Sequence, residues 1–142
     1  MVVIDEQQVG RLRMAVMRLS RRLRQQGNIG ITASQLAVLG TLSRRGVMTP
    51  GQLAEAESVQ PPSMTRIIAG LVDSGMVLRE ARDDDRRSAE VTLSARGRRA
   101  VDSIRAHRNT WLTQRLELLN DAEREDLWRG VAAMEKLLEG PR

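Results

Sequence analysis

Two helix-start signals stand eleven residues apart in this chain, at Pro50 and Pro61, and they constrain its fold more than any other feature. Thr49-Pro50-Gly51-Gln52 has a Thr to cap, a Pro at the first helical position and a Gln at the third, the pattern of a capping box. Pro61-Pro62 then allows only a new helix to open, because proline lacks the N–H that a helix interior must donate. A helix of about eight residues is therefore expected after Thr49, then a tight break at Glu57-Ser58-Val59-Gln60. The second helix is expected to run to about Ser74, where Gly75 stops it. Met64, Ile67, Ile68, Leu71 and Val72 form its apolar face.

The flanking segments are helical by the same reasoning. From about Glu6 to Gln26, Val9, Leu12, Val16, Leu19 and Leu23 recur at spacings of three and four, with the arginines off the stripe. Thr32 or Ser34 caps a second helix, with Leu36, Leu39 and Leu42 buried, ending near Arg44, Arg45 and Gly46. After Gly75 the period changes to two, at Val77 to Glu80 and again at Glu90 to Leu93. The polar run between them, Arg82 to Ser88, makes this a charged hairpin. Ser94 caps a long helix carrying Val101, Ile104, Trp111, Leu112, Leu116 and Leu119. Asn120 or Asp121 caps the last one, with Leu127, Val131, Met134 and Leu138 as its stripe.

Composition removes several function classes. The 142 residues contain no cysteine, so there is no disulfide framework, thiolate metal site or thiol switch. His107 is the lone histidine, too few for a usual zinc site. No nucleophile–base pair and no glycine-rich phosphate loop is present, so neither an enzyme nor a cofactor is expected. The longest apolar stretch, about Ile67–Val72, is far short of the ~18 residues that span a bilayer. The start of the chain has no signal-peptide pattern, and a cytoplasmic location is expected. The net charge is +5, and 22 of the 23 basic residues are arginine. Residues 1–30 carry +4, residues 31–93 carry −1 and residues 94–142 carry +2. Arginine excess fits phosphate and guanine contact, though a GC-rich coding bias accounts for it more simply.

Order of parts points to a function. In a helix–turn–helix the second helix enters the DNA major groove with its N-terminal residues at base edges. Here those positions are Gln60, Ser63, Thr65 and Arg66, all polar groups able to read bases or hold phosphate. The hairpin that follows is then a candidate wing. Its Arg86 or Arg87 is suited to the negative potential of the minor groove, with Asp85 orienting the guanidinium.

Leu53-Ala54-Glu55, Pro62-Ser63-Met64-Thr65-Arg66, Leu71 to Val77, Asp85-Arg86-Arg87 and Val91 to Gly97 together resemble the winged-helix core of the MarR family of bacterial regulators. The family wing often reads Asp-x-Arg-Asp-x-Arg. Here Arg82 occupies the first Asp position, with Asp83 or Asp84 as its replacement. The implied fold is mainly α with a small β-hairpin wing. A helix–turn–helix domain over residues 31–97 is flanked by dimerisation helices at 1–30 and 98–142. The resemblance implies a homodimer on double-stranded DNA with a pseudo-palindromic operator, acting as a repressor and released by a small aromatic or phenolic effector. Met14, Met17, Leu36 and Trp111 are the candidate effector contacts, although ordinary core packing explains them as well. Independently, three helices with apolar stripes flank a core that does not need them, so those faces must be buried elsewhere. The competing reading, motivated by the −1 charge of residues 31–93, is a winged helix that docks a protein instead of DNA.

Overall fold

The computed structural model describes residues 1–27, 30–81 and 89–140. Its elements follow the order α1 (Glu6–Arg24), α2 (Ala33–Arg45), α3 (Pro50–Ala56), α4 (Pro61–Asp73), β1 (Val77–Glu80), β2 (Glu90–Leu93), α5 (Ala95–Leu116) and α6 (Asp121–Leu138). Two compact units divide inside α5, at Met1–Arg108 and Asn109–Arg142. Among the described residues no helix is long and apolar enough to cross a membrane. No group of three metal-ligating side chains occurs among them either.

Caps set where the helices begin. Thr32 accepts from Gln35 N while Gln35 Oε1 accepts from Thr32 N, both at 3.1 Å. Thr49 and Gln52 make the same reciprocal pair at 3.1 and 2.9 Å, and Asn120 and Glu123 at 3.0 and 2.9 Å. Each pair satisfies two backbone N–H groups that a helix start otherwise leaves open. Removing one such cap typically costs about 1 kcal/mol. At the other end of α4, Gly75 takes φ +73. Met76 N donates to Leu71 O and Gly75 N to Val72 O, at 2.9 and 3.0 Å, closing the helix in a Schellman turn. The left-handed backbone at this point is what requires glycine.

The core of the first unit lies where α2 and α4 meet β1 and β2. Val38, Leu39, Leu53, Met64, Ile68, Leu71, Val77 and Val91 are each less than 2% exposed. β1 pairs antiparallel with β2, from Val77↔Leu93 to Glu80↔Glu90. Met48 adds a one-residue third rung, exchanging hydrogen bonds with Val91 at 3.1 and 2.8 Å. This ties the α2–α3 connection to the hairpin. Gly97, Val101 and Ile104 are the buried positions of α5.

α1 behaves differently. It has no buried residue, and Val9, Leu12, Val16 and Leu19 are 46–51% exposed. It ends at Arg24, two residues before the expected end at Gln26, and Gly27 follows at φ +71. A Cβ on Gly27 would lie 2.9 Å from His107 Cβ and 3.3 Å from Ile104 Cα. The break after α1 therefore passes close against α5.

Candidate nucleic-acid interface

α3 and α4 are set at their mutual angle by a four-residue turn. Glu57 N donates to Leu53 O at 3.0 Å, Ser58 N to Glu55 O at 3.2 Å and Val59 N to Ala54 O at 2.9 Å. Ser58 sits at φ +52, the one non-glycine residue with positive φ among those described. A left-handed β-carbon-bearing residue is strained by about 1–2 kcal/mol. We expect Ser58→Gly to raise stability by roughly 0.5–1 kcal/mol, read as an increase in the urea midpoint at constant m. An unchanged or lower midpoint would show that the Ser58 side chain stabilises the turn.

Each expected reading residue on α4 is exposed. Gln60 is the N-cap position, with extended backbone and no side-chain cap bond, so its amide is not committed to the helix. Thr65 donates its hydroxyl to Pro61 O at 3.0 Å, which leaves that oxygen to act chiefly as an acceptor. Arg66 has no hydrogen-bond or ion-pair partner among the described residues. At 100° per residue it projects opposite the buried Met64, Ile68 and Leu71, with Ser63 and Thr65 on the two flanks. The helix thus segregates an uncharged buried face from an exposed edge led by a guanidinium.

That edge holds two further residues. Pro62 and Ala69 are exposed one turn to either side of Arg66. Small apolar groups there suit the thymine methyl. Neither carries a polar group that would mark it as a base contact. Beside this edge is a shallow open hollow between α3 and α4, lined by Gly51, Ala54, Glu55, Ser58, Val59, Gln60 and Pro61.

Asp85, Arg86 and Arg87 lie outside the described residues, as do Arg82, Asp83 and Asp84. The described strands β1 and β2 lead toward them from Glu80 and back at Glu90. Of the expected effector contacts, Met14 and Met17 are exposed on α1, at 47% and 56%. Leu36 is half-buried on α2, and none of these three lines the hollow between α3 and α4. In the second unit Trp111 is half-buried, with the Arg115 guanidinium 5.4 Å from its ring centroid. His107 donates Nδ1–H to Ser103 O at 2.8 Å, a local bond within α5.

Comparison with known proteins agrees with this geometry. The MarR family model matches residues 31–89, the stretch from Ile31 through β1 that stops just before β2. An uncharacterized HTH-type transcriptional regulator of Mycobacterium bovis is 47% identical over 122 residues, 85% of each chain. The HTH-type transcriptional repressor MdtR of Bacillus subtilis is 27% identical over 94 residues, 66% of this chain and 61% of that one. A crystal structure of a Pseudomonas aeruginosa protein matches with TM-score 0.86 at 31% identity, covering 95% of this chain and 96% of that one. Relatives of this kind are DNA-binding regulators and not enzymes. With its helix–turn–helix, hairpin and flanking helices in this order, the chain belongs to the MarR family of transcriptional regulators.

Proposed function

We propose that this regulator is a homodimeric, sequence-specific repressor that places α4 of each subunit in the major groove of a pseudo-palindromic operator. The observation that carries the reading is the exposed edge of α4, where Gln60, Ser63, Thr65 and Arg66 stand over a charge-free core. Arg66 is the base reader, bidentate to guanine O6 and N7, and Ser63 and Thr65 contribute base or phosphate bonds. Arg86 or Arg87 enters the minor groove from the wing, oriented by Asp85. Homodimerisation is supported by α1, whose stripe residues Val9, Leu12, Val16 and Leu19 remain 46–51% exposed. Two reading helices on one face of the duplex then set half-sites about one helical turn apart. The repressor sign rests on the named B. subtilis relative. A small aromatic or phenolic effector releases the DNA, with Met14, Met17, Leu36 and Trp111 as its candidate contacts. The protein acts in the cytoplasm, where its DNA is.

Arg66→Ala is expected to weaken binding to the cognate duplex by about 1–3 kcal/mol and to relax sequence preference at one base pair. The check is a titration against the cognate duplex and against single-base variants of it. Equal weakening on cognate and random DNA would place Arg66 on phosphate instead. Arg87→Ala is expected to weaken binding while sedimentation still shows a dimer. Monomers would assign the hairpin to the subunit interface.

A further inference from the structure

Thr41 is the one polar residue among the described buried residues, 3% exposed on the core face of α2. A threonine inside a helix commonly turns its hydroxyl back to a carbonyl in the preceding turn, as Thr65 does. Thr41 instead donates to Glu57 Oε1, sixteen residues along the chain. Arg44 Nη2 in turn donates to the Thr41 hydroxyl oxygen at 3.3 Å. Gly40 leaves room for this: a Cβ there would lie 3.3 Å from Arg44 Nη1. A guanidinium–hydroxyl–carboxylate chain therefore runs from the last turn of α2 to the C-cap of α3.

Glu57 is where α3 gives way to the turn. The next residue is the strained Ser58, and two residues later Gln60 begins α4 without a side-chain cap of its own. Strained backbone persists only where its surroundings over-determine it, and the grip on Glu57 is one such determinant. Base hydrogen bonds weaken steeply with distance and angle. Long arginines on phosphates follow small displacements more easily.

We propose that Thr41 is a positioning residue for base reading: through Glu57 its hydroxyl fixes the helix–turn–helix turn and hence where Gln60, Ser63 and Arg66 meet the bases. This rests on the proposed role of α4. Loss of the hydroxyl then shows in discrimination between sequences more than in general DNA affinity.

The test uses the full chain and two substitutions. Thr41→Val keeps the shape and removes the hydroxyl, whereas Thr41→Ser keeps the hydroxyl. Each is titrated by anisotropy onto a duplex selected by the wild-type protein from a randomised pool, and onto a random duplex. Thr41→Val is expected to lower the preference between them about tenfold, the equivalent of one charge-assisted bond, with random-duplex affinity within about twofold. Thr41→Ser is expected to keep the preference. Amide exchange in the free protein gives a second readout. The Ser58 and Val59 amides should exchange faster in Thr41→Val, while those of Val38 and Leu39 stay protected. Glu57→Ala removes the acceptor from a half-buried surface position and should reproduce the lost preference without touching the core. Equal weakening on both duplexes, or unchanged preference in Thr41→Val and Glu57→Ala, overturns this inference alone. A wild-type protein that selects no duplex overturns the role of α4 and this inference with it.

Discussion

Gly97→Ala is expected to destabilise the first unit by about 3 kcal/mol and to lower its melting temperature by roughly 10–15 °C. Helix propensity alone argues the other way, since alanine in a helix gains roughly 1 kcal/mol over glycine. Geometry decides the sign. A Cβ on Gly97 would lie 1.9 Å from the Met76 carbonyl oxygen and 2.9 Å from its carbon, with Leu93 Cδ2 at 3.2 Å. That carbonyl cannot easily move away, because it accepts from Ser94 N at 3.1 Å. The junction is pinned further by Ser94 Oγ, which donates to Gly75 O and accepts from Gly97 N. Relief therefore requires α5 to shift away from the start of β1, opening the packing around Val77 and Val101. Gly51→Ala is the control. Its nearest new neighbour would be Thr49 Oγ1 at 3.9 Å, so its stability should hold or rise slightly. Thermal unfolding followed by circular dichroism compares the two. A melting temperature for Gly97→Ala at or above the wild type would show that α5 does not approach β1 this closely.

The second large effect concerns α1. Leu12→Asp together with Leu19→Asp is expected to give a monomer whose DNA affinity falls by ~10²–10⁴, the usual consequence of losing a tethered second binding site. Both leucines are 46% exposed within the subunit, so the change removes little from its own core. Charges buried against a partner's apolar surface would be strongly unfavourable. Sedimentation measures the assembly state and circular dichroism the fold. A variant that stays dimeric with unchanged DNA affinity would remove α1 from the proposed dimer interface.

Much of this fold was legible because its boundaries are marked by local chemistry. Thr32 and Ser34 look alike as caps, yet only Thr32 has a glutamine three residues on to return the bond. Asn120 prevails over Asp121 for the same reason: its third residue is Glu123, whereas that of Asp121 is Arg124, which donates to Leu116 O and to Asp121 itself. The end of α1 is set by a tertiary contact. Gln25 and Gln26 continue the helical composition, but Gly27 takes a left-handed backbone beside His107 and Ile104. Nothing local announces that contact.

Tertiary features were hidden for related reasons. The Met48–Val91 rung is one residue long and has no alternation to reveal it. Ser58 at positive φ is set by the turn on either side and not by a residue type that favours it. The Thr41–Glu57 bond joins positions sixteen apart, with no periodicity connecting them. On α4, the exposure of Ser63, Thr65 and Arg66 follows from helical spacing, whereas Gln60, four residues before the buried Met64, is exposed because it is the N-cap and lies outside the helix. Pro62 and Ala69 share that edge but carry no polar signal.

Every role proposed for this chain depends on α4 reading DNA sequence. Fluorescence anisotropy of the wild-type protein on its own upstream DNA and on a random duplex, across a range of salt, tests this reading. Phosphate contacts release counterions, so both affinities should fall steeply as salt rises. Tight binding with a clear preference for the upstream duplex is expected, with a preference that survives where random binding has faded. Absence of binding at low salt would contradict it and favour a winged helix that docks a protein.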